Sequence, residues 1–151
     1  MAEGLTAAGK VSLFLDLFRG RSDVYAVAWE SKGRRGYKPV YAPYNENVVE
    51  AHLRGREVVG VYPLLRNNTT WFLAIDCDGP QAATEARLLA RQCGHRELPF
   101  YLERSRSGVG YHLWFFFHAP VTGAKARAFG KRLLDAAGTE LRSFDRFFPS
   151  Q

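Results

Sequence analysis

The stretch WFLAIDCD, residues 71–78, runs from an apolar segment directly into two acidic residues. Consecutive apolar residues of this kind predict a strand that is buried on both faces of a sheet. Residues i and i+2 of a strand point to the same side, so the carboxylates of Asp76 and Asp78 are expected to face together. Two like charges held that close favour a bound divalent cation. The alternative is an aspartate-rich turn, because Asp-x-Asp-Gly also suits a turn.

A second stretch, ERSRSGVGYH at residues 103–112, combines arginines, serines and glycines in a loop that leads into an aromatic strand at residues 111–117. Glycines allow a close backbone approach, and hydroxyl and amide groups bind phosphate oxygens. A histidine at the start of the strand is in a position to reach a triphosphate, although a lone strand histidine is more often structural. The nucleotide-binding candidates are Arg104, Arg106, Ser107, Gly108, Gly110 and His112.

A third stretch, FDRFFPSQ at residues 144–151, places Asp145 before an aromatic run. As a third carboxylate beside Asp76 and Asp78 it would complete a two-metal site. This requires its strand to lie next to the strand at residues 71–76, with the carboxylate within about 6 Å of the other two. The alternative is that Asp145 simply forms an ion pair with Arg146 or Arg142.

The remaining pattern predicts helices near residues 10–18, 45–53, 81–93 and 122–137, and strands near 24–29, 58–64, 99–103 and 144–148. The turn at Asn67-Asn68 suggests a hairpin between the strands at 58–64 and 71–76. Helices and strands thus alternate in an α+β fold, with a mixed or antiparallel sheet and helices on one face. This topology is similar to that of an RNA-recognition motif.

Composition limits the possible functions. The chain has 151 residues, of which 46% are hydrophobic and 14% aromatic, as expected for one globular domain over residues 1–151. Neither a long apolar run nor a secretory leader is visible, so no membrane partner and a cytoplasmic location are expected. The net charge is +6, and 16 of the 21 basic residues are arginine, which favours nucleic acid or a nucleotide as the partner.

One basic cluster, Arg34, Arg35 and Lys38, is predicted to lie in a loop. Its functional interpretation is contact with the phosphate backbone of a template strand, which is independent of sequence and sensitive to salt. Its alternative is a solvated turn, the usual role of such charge runs.

Taken in order, these three stretches resemble the motifs of the archaeo-eukaryotic primase superfamily. LAIDCD at 73–78 is similar to its hydrophobic Asp-x-Asp motif, SGVGYH at 107–112 to its Ser-Gly-x-Gly-x-His form, and Phe144-Asp145 to its third motif. The stretches GVYPLL, WFLAID and HLWFFF resemble in particular the primase domain of TOTE conflict systems.

The resemblance implies a metal-dependent nucleotidyltransferase that makes primers or extends DNA from nucleoside triphosphates. Asp76, Asp78 and Asp145 would be the catalytic residues and would hold Mg²⁺ or Mn²⁺. The implied partners are nucleoside triphosphates, a single-stranded or primed DNA template, and a helicase or other domains of a longer protein. No structural zinc is expected, because residues 31–45, where many relatives carry a cysteine-rich element, have no cysteine.

Two other functions stay open at this level. A non-catalytic module of the RNA-recognition-motif type would stack bases on aromatic residues of its sheet. A metal-dependent nuclease would use a similar group of carboxylates. The paired aspartates disfavour the first, because acids repel a polyanion unless a metal lies between them. The predicted triphosphate loop disfavours the second.

Overall fold

The computed structural model describes residues 4–138 and 143–150, which form four helices and seven strands. The helices are α1 (Ala7–Leu17), α2 (Glu46–Leu53), α3 (Ala82–His95) and α4 (Gly123–Ala137). The strands are β1 (Tyr25–Ser31), β2 (Arg34–Val40), β3 (Val59–Val61), β4 (Thr69–Cys77), β5 (Tyr101–Arg104), β6 (Tyr111–Thr122) and β7 (Phe144–Phe148). Within the described ranges no helix is long and apolar enough to cross a bilayer.

The chain divides between Asn67 and Asn68 into two compact units. The first unit contains α1, α2 and an antiparallel sheet in the order β2-β1-β3. Asn45 caps α2, and its side chain accepts hydrogen bonds from the amides of Asn47 and Val48. That the whole chain acts as a single domain stays a prediction.

The second unit has the element order β4-α3-β5-β6-α4-β7 and one antiparallel sheet in the order β5-β6-β4-β7. A β-α-β-β-α-β order with this strand arrangement is that of an RNA-recognition motif. The predicted α+β class and its likeness to that motif are therefore confirmed.

The strand pleat divides the second sheet into two chemically different faces. Leu73, Ile75 and Cys77 of β4 are fully buried in one core with Leu89 of α3 and Leu133 of α4. The helices of this unit therefore lie on one face, as the sequence predicted.

The face opposite to those helices carries aromatic and ionisable side chains. In the register of the sheet Asp76 lies beside His112, and Trp114 lies between Ala74 and Tyr101. The rings of Trp114 and Phe116 are parallel, with their centroids 6.2 Å apart. The ionisable residues thus sit at one end of this face, beside an aromatic row.

The predicted hairpin between residues 58–64 and 71–76 is wrong. Strand β3 pairs with β1 in the first unit, whereas β4 pairs with β6 and β7 in the second. The turn at Asn67-Asn68 marks the boundary between the units instead. Periodicity identified the strands here, but it carries no information about which distant strand is the partner.

The basic cluster also differs from its prediction, because Arg34, Arg35 and Lys38 lie in β2 and not in a loop. Only Lys32 and Gly33 form the turn, with φ of 50° and 73°. Positive φ at both central residues is typical of the tight hairpin turn that suits twisted strands. Strand β2 was missed because it is an exposed edge strand with polar residues on both sides.

Helix α4 approaches the second sheet closely at Gly130. A Cβ atom added at this residue would lie 2.6 Å from a ring carbon of Phe147 and 3.0 Å from a methyl carbon of Leu73. The helix therefore packs directly on β4 and β7, the two strands that carry the acidic residues described below.

We expect Gly130→Ala to lower the free energy of unfolding by about 1–3 kcal/mol, because the added methyl group overpacks this contact. Gly94→Ala in α3 is the matched control, since a Cβ there would meet nothing within 4 Å. It should raise the stability by about 0.5–1 kcal/mol through helix propensity alone. Denaturant unfolding measures both, and effects of the same sign would contradict the prediction.

Candidate active site

Three carboxylates meet at the end of β4. Asp76, Asp78 and Asp145 each offer an oxygen atom within 4.8 Å of the others. Asp76 is buried, whereas Asp78 and Asp145 are exposed. The structure thus brings together the three acids that the sequence singled out, at the distance required for a shared metal. Their roles as ligands and catalytic residues stay predictions.

A β-bulge directs Asp145 toward the other two acids. Strand β7 pairs with β4 so that Arg146 lies opposite Asp76, while Phe144 lies opposite Cys77. Asp145 is therefore the extra residue on β7. In a regular ladder it would lie opposite Cys77 and face the core, but a bulge changes the direction of side chains at such a position. This explains why Asp145 is exposed beside Asp76.

Asp145 also has a local partner, because Arg146 Nε donates to its Oδ2 at 2.5 Å. The pairing with Arg146 that was the alternative interpretation is therefore present together with the acidic cluster. Arg142, the other alternative partner, lies outside the described residues. An exposed cation beside the acids lowers their mutual repulsion and leaves the other Asp145 oxygen for a ligand.

His112 lies directly beside Asp76. Its Nε2 is 3.3 Å from Asp76 Oδ1, and its Nδ1 is 3.1 Å from Oε2 of Glu103. The same Glu103 oxygen accepts a hydrogen bond of 2.7 Å from Trp114 Nε1. The carboxylates of Asp76 and Glu103 raise the pKa of His112 to about 9, so the imidazole carries a positive charge at neutral pH.

The sequence analysis did not identify this role of Glu103. The residue lies opposite His112 in the register of β5 and β6, and the pleat turns both side chains to the same face. Alternation within each strand was visible in the sequence, but the register that brings residues 103 and 112 together was not.

The loop between β5 and β6 is closed by its own hydrogen bonds. Ser105 Oγ lies 2.9 Å from Ser107 Oγ and accepts from the amide of Gly110 at 3.0 Å. Arg104 Nε donates to the carbonyl oxygen of Gly108 at 2.8 Å, and Gly108 has a φ of 78°. The loop hydroxyls therefore define its shape, while the side chain of Arg106 is exposed.

Gly110 holds this loop against the acids. A Cβ atom at this residue would lie only 2.2 Å from Oδ1 of Asp78 and 3.1 Å from the carbonyl oxygen of Cys77. No other residue fits here without displacing Asp78. The sequence assigned Gly110 to phosphate binding, whereas the structure gives it a direct packing role beside one acid of the cluster.

Cys77 lies between two of the acids in the sequence but not in space. Its side chain is fully buried in the helix-covered core. Burial, with the negative charges of Glu85 and the two aspartates, raises the pKa of its thiol to about 12. Thiolate chemistry at neutral pH is therefore disfavoured.

The basic residues of β2 belong to the first unit and do not all lie on one face of the strand. Arg34 and Lys38 share a face with Trp29, whereas Arg35 is on the other face and lies opposite Glu30. The indole of Trp29 lies over Gly36, where an added Cβ would be 3.2 Å from its ring. One face of the hairpin therefore presents two cations beside an aromatic ring.

The donors at the acidic cluster fit a hard divalent cation. Carboxylate oxygens are the ligands that Mg²⁺ and Mn²⁺ prefer. Asp76 Oδ1 is buried and has no hydrogen-bond partner within the described part of the chain, although His112 Nε2 lies at ion-pair distance. A buried carboxylate oxygen without such a partner is costly unless a cation binds it.

A helix-backed RNA-recognition-motif sheet with three acids at one end is the arrangement expected of a primase catalytic core. A family model agrees with this class: residues 9–151 match the archaeo-eukaryotic primase domain of the TOTE conflict system. The chain therefore belongs to this family of archaeo-eukaryotic primase domains. A comparison with curated proteins finds no match.

In metal-free, EDTA-treated protein we expect NMR titration to give His112 a pKa of about 9, above the ordinary 6.5. A raised pKa means that the charged histidine contributes stability fully below about pH 6.5 and loses that contribution as the pH rises through the folded value. Glu103→Gln should lower the pKa of His112, and Glu97→Gln, an exposed acid in a turn, should leave it unchanged. A His112 pKa at or below 6.5 in the wild type would show that Asp76 and Glu103 do not stabilise the charged imidazole.

Proposed function

We propose that this chain is a metal-dependent nucleotidyltransferase that joins nucleoside triphosphates on a nucleic-acid template. The observation that carries the proposal is the convergence of Asp76, Asp78 and Asp145 at the end of β4. Membership of the primase family gives the reaction class. Both de novo priming and primer extension use this chemistry.

In the proposed site the three aspartates hold Mg²⁺ or Mn²⁺. The metal would supply charge neutralisation at the triphosphate and lower the pKa of the attacking 3′-hydroxyl. Asp76 belongs to the buried central strand β4, so the strands on both sides fix its backbone position. Asp78 and Asp145 are exposed and would meet the substrate side of the site.

We propose that the triphosphate binds to the positively charged groups beside the acids. Protonated His112, held between Asp76 and Glu103, would attract a phosphate oxygen through its positive charge. Arg106 projects from the loop at residues 105–110, and Arg104 braces that loop through Gly108. The serine hydroxyls act by fixing the shape of the loop, since they bind one another and loop amides.

We assign the template to the face of the β1–β2 hairpin that carries Trp29, Arg34 and Lys38. Arg34 and Lys38 would contact phosphates, and the ring of Trp29 between them would stack on a base. Arg35 contributes less in this proposal, because it lies on the other face opposite the negative charge of Glu30. A helicase or further domains of a longer protein are the remaining proposed partners.

The site geometry favours the enzyme over a non-catalytic module of the RNA-recognition-motif type. A module that binds a polyanion on this sheet face would gain nothing from three carboxylates without a metal. Failure to bind divalent metal would therefore support that alternative. Cleavage of DNA without any dependence on nucleoside triphosphates would support the nuclease.

We expect Asp145→Ala to weaken Mn²⁺ binding at least about tenfold and to lower nucleotide incorporation by about 100-fold or more, because it removes one ligand of the cluster. Calorimetry with Mn²⁺ and a primer-extension or primer-synthesis assay with Mg²⁺ measure the two effects. Asp135→Ala, an exposed acid of α4, is the matched control and should change neither. Equal Mn²⁺ affinity in wild type and Asp145→Ala would refute the ligand assignment.

For the template face, Arg34→Ala should weaken binding of single-stranded DNA and reduce the slope of log Kobs against log salt by about 0.7, the contribution of one phosphate contact. Arg35→Ala is the neighbouring control with the same chemistry on the other face, and its slope should stay near that of the wild type. Fluorescence anisotropy at several salt concentrations gives both slopes. Equal losses in the two variants would mean that the strand face does not matter.

A further inference from the structure

Both backbone polar groups of Ser143 are held by buried hydrogen bonds. Its amide donates to Oε2 of Glu85 at 2.7 Å, and its carbonyl oxygen accepts from the amide of Asp78 at 2.6 Å. Ser143 and Glu85 are only 4% and 3% exposed. One residue is thus fixed between helix α3 and the acid that follows β4.

The position of Ser143 makes this contact relevant to the acidic cluster. It precedes β7 directly and lies two residues before Asp145, while Asp78 is the first residue after β4. The bulge at Asp145 interrupts the regular pairing of β4 with β7 at this end of the sheet. Pairing resumes beyond the bulge at Cys77 and Phe144, and the bonds of Ser143 extend it to Asp78, between the positions of Asp78 and Asp145 in the structure.

Helix α3 is a suitable element to supply the anchor. Glu85 lies in its first turn, where the positive end of the helix dipole favours a carboxylate. The helix is fixed to the sheet through the buried residues Ala86, Leu89 and Cys93. Burial of a carboxylate costs free energy unless its oxygen atoms are hydrogen-bonded. The hydrogen bond that buried Glu85 accepts from a backbone amide therefore indicates a specific positioning task.

We propose that Glu85 is a positioning residue that fixes the spacing of Asp78 and Asp145 through Ser143 and thereby sets the affinity of the cluster for divalent metal. Glu85 does not belong to the three-carboxylate cluster, and its Oε2 reaches the backbone amide of Ser143. The inference rests on the proposed function, because it concerns the same metal site.

Two nearly isosteric variants test the role of the acceptor oxygen. Glu85→Gln keeps an oxygen that accepts from the Ser143 amide, whereas Glu85→Met fills the same space without one. In calorimetry with Mn²⁺ we expect Glu85→Met to lose at least about tenfold in affinity and Glu85→Gln to stay within about threefold of wild type. Equal affinity in Glu85→Met and wild type, or an equal loss in both variants, would overturn the proposal.

A control separates positioning from general stability. Leu89→Ala, one turn further along α3, removes core packing but leaves the carboxylate that binds the Ser143 amide in place. It should lower the melting temperature and leave the Mn²⁺ affinity of the folded protein unchanged. A loss of Mn²⁺ affinity in Leu89→Ala as large as that in Glu85→Met would mean that Glu85 affects the metal site only through overall stability, and would overturn the inference.

Hydrogen exchange of the Ser143 amide tests the same link in the wild-type chain and does not require a variant to fold. Because coupling is reciprocal, Mg²⁺ binding should slow this exchange, while the amide of Gly9 in α1 should not respond. Unchanged exchange at Ser143 with Mg²⁺ bound would overturn the inference alone. Absence of any metal binding by the wild type would instead overturn the proposed function, and the inference with it.

Discussion

The close approach of three carboxylates is the constraint that the structure around the end of β4 has to accommodate. Oxygen atoms of Asp76, Asp78 and Asp145 lie within 4.8 Å of one another, and negative charges at such separations repel strongly in a partly buried environment. Left to themselves, exposed side chains would rotate apart. The surrounding structure opposes this by fixing the backbone of each acid separately.

A different structural feature fixes the position of each acid. Asp76 belongs to the central strand β4 and lies between β6 and β7. Asp78 packs against Gly110, where even a methyl group would be too large. Asp145 is directed to the site by a β-bulge, with Arg146 beside it as a counter-charge. The folding energy of the sheet thus maintains a charge arrangement that is unfavourable by itself.

Local pattern in the sequence was enough to predict the class of fold and to single out the three acids that the structure brings together. An apolar run ending in Asp-x-Asp, the aromatic strand β6 and two amphipathic helices define the sheet with its helices on one face. The three acids were identified by the chemistry of their motifs, and the fold brings them together. These features succeed because each depends on residue type and short-range alternation.

Features that depend on register were not accessible from the sequence. The contact of Glu103 with His112 depends on the pairing of β5 with β6. The hydrogen bond of Glu85 depends on where the chain enters β7, because its donor is the amide of Ser143. The partner of β3 was predicted wrongly for the same reason. Strand β2 was missed because an exposed edge strand shows no apolar alternation, and only the pleat separates Arg34 from Arg35.

The direction of the Cys77 side chain has a consequence for metal selectivity. Sulfur is a soft donor that attracts zinc and copper, and a thiolate between two aspartates would give such ions an advantage over magnesium. The pleat of β4 turns the thiol into the apolar core, and burial keeps it protonated. The cluster therefore presents only hard oxygen atoms and one charged imidazole, a donor set that favours a hard divalent cation over a thiophilic ion.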